Sequence, residues 1–255
     1  MTHTDRPAPL PDPADRPGPS ELPDHPDHPG LPALPELPAL PGSPGLPGLP
    51  RLADAVRHLP SSCGPVRVVA VDGHAGSGKS TFTARLAEAL GGAPVLRLDD
   101  IASHTDLFDW TDRLLRQVME PLSRGETAHY AAYDWHARRF GPADRPLPAA
   151  PVVLMEGVGA GRRVLRPFLA GLLWMDLPRD TSWARGRRRD GPDLSGFWDG
   201  WEAAERRHFA EDPSRPFAQL LVRELPEGYE LLPGPDEAAA LTQIVTQGED
   251  PSAAR

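Results

Sequence analysis

Gly73, Gly78, Lys79 and Ser80 fall in the spacing G-x-x-x-x-G-K-S, within the run Gly73-His74-Ala75-Gly76-Ser77-Gly78-Lys79-Ser80-Thr81. That spacing marks a loop that binds polyphosphate. Its glycines let the backbone turn tightly enough for successive N–H groups to point at one anion. A helix opening near Lys79 would add its unpaired N–H groups and the positive end of its dipole. Lys79 would neutralise the β- and γ-phosphates of a nucleotide, and the Ser80 hydroxyl would complete a Mg²⁺ shell. Lys79 is also the only lysine in 255 residues, the other long basic side chains all being arginine. An ammonium kept at this one position fits a compact point charge on phosphate.

Other candidates for chemistry are acidic. Asp99-Asp100 follows the apolar run Val95-Leu-Arg-Leu98, and Glu156 follows Val152-Val-Leu-Met155. Carboxylates at the carboxyl ends of strands are what magnesium-dependent phosphoryl transfer needs. Glu156 suits the second magnesium-organising group, directly or through water, and Asp99 a base that takes a proton from an attacking hydroxyl. Asp100 competes for the role of base, and capping of the next helix is the bland alternative for all three. Arg185, Arg187, Arg188 and Arg189 form the densest positive charge in the chain. In a mobile loop they would make a lid over a triphosphate; otherwise they form a solvated helix face paired with Asp180 and Asp190. Tyr133, Asp134, Trp135 and His136 combine aromatic faces with hydrogen-bonding groups, either to hold a planar substrate or simply to pack a loop on the core. His74 would meet phosphate through its backbone. His58, His104, His129 and His208 lack metal-ligand spacing.

These residues need a scaffold, and the periodicity supplies one. Helix-like spacing covers Arg51–Leu59, Thr81–Leu90, Trp110–Leu122 and Trp198–Glu211, with a closing helix over Asp236–Gln247. Buried strands are predicted at Val66–Val71, Val95–Leu98, Val152–Met155 and Leu172–Met175, and a fifth at Phe217–Val222. Strands alternating with helices predict an α/β fold, a doubly wound five-stranded parallel sheet with helices on both faces and an arginine-rich lid. Its domain would run over 51–232, after a proline-rich tail at 1–50 and before a C-terminal helix and tail at 233–255.

Composition narrows the class. Sixteen of the 33 prolines lie in the first fifty residues, and from Pro29 to Pro50 they recur every third position. That pattern reads as a polyproline II spacer or a ligand for an SH3-like partner. A formal charge of −9 argues against nucleic acid as the main partner. One cysteine, Cys63, rules out an intrachain disulfide and points to the reducing cytoplasm. No apolar run reaches membrane-spanning length.

Taken in order, the phosphate loop, Leu98-Asp99-Asp100, Tyr133-Asp134-Trp135, Glu156-Gly157 and Arg185-Gly186-Arg-Arg-Arg189-Asp190 resemble the uridine kinase-like branch of the P-loop kinases. The likeness runs from about Leu52 to Val222. It implies ATP and Mg²⁺ as cofactors and a nucleoside-like small molecule as acceptor. By it, Asp99 matches the aspartate that activates the nucleoside 5′-hydroxyl, Tyr133 and Asp134 match the nucleoside segment, and Arg185 and Arg189 match lid arginines. Two departures stand out: Asp100, Ile101 and Ala102 follow Asp99 where a small residue and an aromatic pair are usual. Arg138 also occupies the place of the family histidine, with His136 two places early. Two other readings stay open, a kinase of the same fold acting on another small metabolite and a nucleotide-binding regulator without transfer activity. A GTPase switch needs an Asn-Lys-x-Asp element, which a chain with one lysine cannot contain.

Overall fold

The computed structural model describes residues 48–235. The tail before Gly48 and the closing helix expected over Asp236–Gln247 lie outside the described residues. In chain order the main elements are α1 (Gly48–His58), β1 (Arg67–Asp72), α2 (Lys79–Ala89), β2 (Val95–Arg97), α3 (Thr111–Leu114) and α4 (Glu120–Ser123). Four short strands come next: β3 (Ala128–Tyr130), β4 (Tyr133–Asp134), β5 (Arg139–Phe140) and β6 (Arg145–Leu147). The chain then runs through β7 (Val152–Glu156), β8 (Leu169–Met175), α5 (Arg179–Asp190), α6 (Ser195–Glu211), β9 (Leu220–Leu225) and β10 (Gly228–Pro233).

The central sheet has the order β10-β9-β8-β1-β7-β2. Five strands are parallel, as expected from the alternation of strands and helices. The sixth, β10, was not expected; it returns antiparallel on β9 through a Pro226-Glu227 turn, with Gly228 opposite Leu225. Residues of β1 alternate between two cores. Val69 and Val71 pack with Leu52, Val56, Phe82 and Leu86 on the α1–α2 side. Val68 and Ala70 pack with Trp110, Leu114 and Val118 on the other. Burial on both faces is why these strands are apolar throughout rather than alternating.

The helix expected over Trp110–Leu122 forms with an irregular centre, because Leu115–Met119 is a π-helical turn joining α3 to α4. Pro121 stands just beyond it and has no N–H to offer the Gln117 carbonyl, so the hydrogen-bond ladder slips by one residue ahead of it. The arginine-rich run, which the sequence allows as a mobile lid loop or as a helix face, lies on a regular helix, α5. It lies over the phosphate loop, with a third apolar cluster of Val158, Trp183, Trp198 and Trp201 beneath and beside it.

Candidate active site

Register sets the site. β1 pairs with β7 so that Val71 stands opposite Glu156, and β2 pairs with β7 so that Arg97 stands opposite Glu156. The carboxyl ends of three adjacent strands therefore deliver Asp72, Glu156 and Asp99 to one edge, the edge at which open α/β sheets bind ligands. Gly157 makes this convergence fit: a Cβ on it would lie 2.6 Å from the Leu98 Cβ, and its φ of +153° suits glycine. Directly after Leu98 the chain turns in a short 3-10 segment, Leu98–Asp100, which separates the two neighbouring acids. Asp99 lines the cleft. Asp100 turns away, accepting a hydrogen bond from the Tyr130 hydroxyl at 3.1 Å and pairing with Arg145 at 3.6 Å.

The phosphate loop connects β1 to the first turn of α2. Asp72, fully buried, anchors its entry by accepting hydrogen bonds from the backbone N–H groups of Gly73, Gly159 and Gly161 at 2.7, 2.9 and 2.8 Å. Lys79 folds back over the loop and donates to the carbonyls of Gly73 and His74 at 2.8 and 2.9 Å. Ala75, Gly76, Gly78, Lys79, Ser80 and Thr81 line a cleft of about 930 Å³, whereas Gly73, His74 and Ser77 lie behind them. The His74 ring points into the protein, packed edge-on against Trp174 and Phe209. Gly76 is the place where α5 and the loop meet, since a Cβ there would stand 2.1 Å from the Ser182 carbonyl oxygen of α5.

On the cleft floor the Ser80 hydroxyl donates to Glu156 Oε1 at 2.9 Å. A hydroxyl and a carboxylate side by side next to the loop amides are hard oxygen donors of the kind Mg²⁺ takes, and Mg²⁺ ordinarily draws few ligands from protein. The donor set fits that ion. Burial pushes the Glu156 carboxyl above the ordinary range, a rise opposed by the Lys79 charge. Asp99 is shifted the same way: protein walls around the cleft desolvate it, Lys79 pulls it down and Asp100 pushes it up. Its surface exposure and this desolvation are compatible, because the surface it keeps faces a recess rather than open water.

Arg185 and Arg189 both reach the cleft from α5. Each has a carboxylate partner, Glu224 for Arg185 and Asp190 for Arg189. Arg187 instead faces α6, bonded to Glu202 and Asp199 at 2.6 Å. The arginine run thus divides between cleft and helix packing.

The same cleft is lined by His104, Trp135, His136, Arg138, Phe197 and Trp201, with Trp201 next to the loop through the Glu205 carboxylate it shares with the Ala75 amide. The Trp135 indole donates to the Asp99 carbonyl at 3.0 Å, tying the aromatic wall to the strand end that carries the acid. His104 hydrogen-bonds the Tyr133 hydroxyl at 2.9 Å and packs 4.8 Å from the Trp135 ring. Desolvation and the Arg138 charge hold its imidazole below the usual range. Of the residues expected to hold an acceptor, His136 and Arg138 line the cleft. Tyr133 is buried behind His104. Asp134 accepts from the backbone N–H groups of His136 and Ala137, which shapes the turn and holds its carboxyl low. Arg138 has a φ of +53°, the one described non-glycine residue with positive φ, a conformation that surroundings must enforce.

Sequence reasoning missed His104, Phe197, Trp198 and Trp201 in the cleft, and Asp72 and Glu205 beneath the loop. Asp72 had a local signal, an acid ending an apolar strand one residue before the loop. The others carry no motif of their own, His104 although it is only five residues after Asp99, and are brought in by folding. Among the described residues no cluster of three or more metal-ligating side chains occurs, and no helix is long and apolar enough to cross a membrane.

No family model matches the chain, and neither does any curated protein. Among solved structures it is similar to a protein of Bacillus stearothermophilus provisionally described as a uridine kinase, at 18% identity and a TM-score of 0.45, over 62% of this chain and 94% of that one. A second, provisionally described as a fructose transport system kinase from Silicibacter sp. TM1040, is 22% identical with a TM-score of 0.43 over 65% and 89%. Shikimate kinase from Bacteroides thetaiotaomicron matches at 16% identity and a TM-score of 0.34 over 71% and 97%. Likenesses this distant do not decide chemistry, which has to be argued from the residues of the cleft.

Proposed function

We propose that this protein is a cytoplasmic ATP-dependent kinase that transfers the γ-phosphoryl group to a hydroxyl of a small molecule, a nucleoside-like one in the first instance. The observation that carries the reading is one cleft lined together by Lys79, Ser80, Glu156, Asp99 and an aromatic wall, with Ser80 bonded to Glu156 and Trp135 bonded to the Asp99 carbonyl. Loop amides and Lys79 would hold the phosphates. Ser80 and Glu156 would hold Mg²⁺, which when bound offsets the phosphate charge. Asp99 would take the proton of the acceptor hydroxyl as it attacks. Arg185 and Arg189 would exchange their present carboxylate partners for charge developing on the transferred group. Positioning and electrostatics account for most of such a transfer. A cleft of this volume has room for a nucleotide and a small acceptor together.

Arg138 favours a second reading of the acceptor. It has no ion-pair partner among the described residues and lines the cleft with the aromatic wall, so an acceptor bearing a carboxylate or phosphate would suit it better than a neutral nucleoside. The test is ATP consumption with Mg²⁺ across nucleosides, sugars and hydroxy acids, with Asp99→Asn and Lys79→Ala alongside. Turnover with one acceptor, lost in both variants, is the expected outcome. A folded protein that binds no ATP would sink the proposal.

A further inference from the structure

Glu205 lies in the middle of α6 and is completely buried, yet no step of the transfer uses it. Four N–H donors converge on its carboxylate. Oε1 accepts from His74 Nδ1 at 2.7 Å and from the Trp183 indole at 3.1 Å. Oε2 accepts from the Ala75 backbone N–H at 3.2 Å and from the Trp201 indole at 2.8 Å. The two indoles and the Ala75 amide can only donate; with His74 in the tautomer that carries its proton on Nδ1, the four are met by an ionised carboxylate, which has no proton of its own to place among them. Burial would raise this carboxyl, but the His74 hydrogen bond and the Lys79 charge outweigh it and hold the group low. The donors come from three separate elements: the phosphate loop, α5 and α6. One carboxylate therefore ties the loop to both helices that cover the cleft.

We propose that Glu205 is a positioning residue that fastens the phosphate loop to the lid helices α5 and α6 and so presets the loop for the triphosphate. With the Ala75 amide fastened inward and the Ser77 N–H given to the His74 carbonyl, the amides of Gly76 and of Gly78 to Ser80 are left to serve the anion. It also makes the lid and loop one unit, already in contact where Gly76 meets Ser182. A solvated glutamate could not do this, because exposed charge pairs contribute little. This inference rests on the loop being a phosphate site only for its functional half; the fastening itself holds without nucleotide.

The experiment has two arms on the full chain. In the first, amide hydrogen exchange without nucleotide compares wild type with Glu205→Gln, whose NH₂ must face N–H donors. Exchange in peptides spanning 73–80 and in α5 around Trp183 is expected to speed up by roughly tenfold or more, since a buried set of donors loses its acceptor. Acceleration confined to α6, with the loop as protected as in wild type, would overturn the proposal. In the second arm, calorimetry with Mg·ATP is expected to show a similar fold loss of affinity in Glu205→Gln; unchanged affinity despite a loosened loop also overturns it. Wild type failing to bind ATP would instead remove the kinase reading, and the exchange arm would still decide the fastening. Should Glu205→Gln not fold, His74 supplies the same answer. His74→Phe keeps a ring against Trp174 and Phe209 but cannot donate, whereas His74→Asn can donate near the Nδ1 position. Faster loop exchange in His74→Phe than in His74→Asn is expected. The reverse order would make His74 a packing ring only and refute the role assigned to Glu205.

Discussion

A carboxylate that removes a proton from a hydroxyl works only when ionised, and Asp99 sits where ionisation is disfavoured. Desolvation raises its carboxyl, with Lys79 working against the rise. The acid limb of the turnover profile is therefore expected above the pKa of about 3.9 of a free aspartate, with activity falling as pH drops through it. Asp99→Asn should lower kcat by about 10²–10⁴ and leave the residual rate without that limb, as a pH-rate series would read. The same shift has a stability consequence of the opposite sign. The folded state favours the protonated acid, so the stability this group contributes is full below the unfolded pKa and is lost as pH rises through the folded one. Asp99→Asn should accordingly raise the thermal midpoint at neutral pH, and the gain should shrink towards acid, where wild-type Asp99 is also neutral. The role proposed for Lys79, a fixed charge, is simpler. With its ammonium held over the Gly73 and His74 carbonyls, Lys79→Ala should cost on the order of 10²–10³ in kcat while the far-ultraviolet spectrum stays native.

Helix α5 turns an arginine-rich sequence into a cover for the cleft, and its packing hinges on one glycine. Arg185 and Arg189 are four residues apart, so they emerge on one helix face, and Gly186 lies beside them against α6. A Cβ on Gly186 would come within 2.3 Å of the Trp198 ring. Glycine to alanine in an ordinary exposed helix stabilises by about 1 kcal/mol. Here the sign should reverse, because the added methyl must push α5 from Trp198 and thereby from the loop at Gly76. Gly186→Ala is expected to destabilise by about 1–3 kcal/mol in urea unfolding, the usual range for overpacking. Turnover should fall further than stability alone explains, since Arg185 and Arg189 ride on the displaced helix. Unchanged stability and turnover would mean that the two helices shift apart freely and that the cover is not a fixed element.

At the scale of the whole molecule, the features legible in the sequence are those that local chemistry encodes. The phosphate loop, the acids at strand ends and the apolar strands of a two-sided sheet are contiguous, so spacing alone placed Lys79, Ser80, Asp99 and Glu156 in one region. Glu205 was illegible because its partners His74 and Trp183 are 131 and 22 positions away, and a glutamate in a mixed helix reads as solvent-facing. The strand β10 hid for a related reason: Gly228-Tyr-Glu-Leu-Leu-Pro233 has no clean period and becomes a strand only by pairing with β9. Helix α1 was read correctly from its periodicity, but its importance emerges only in the packed molecule. Leu52, Val56 and Leu59 are at most 1% exposed and join Phe82, Leu86 and Tyr229 in the core on the α1–α2 side of the sheet. Burying such side chains contributes about 1.5–3 kcal/mol each, together comparable to the roughly 5–15 kcal/mol that separates folded from unfolded chains. A chain starting at Gly48, which keeps α1 and every described residue of the cleft and both cores, is the reference for its contribution. One starting at Pro65 should lose most of its stability, although it retains every residue proposed for catalysis. Equal midpoints for the two shortened chains would show that α1 merely decorates the α2 face; a large gap would make it part of the foundation on which the phosphate loop stands.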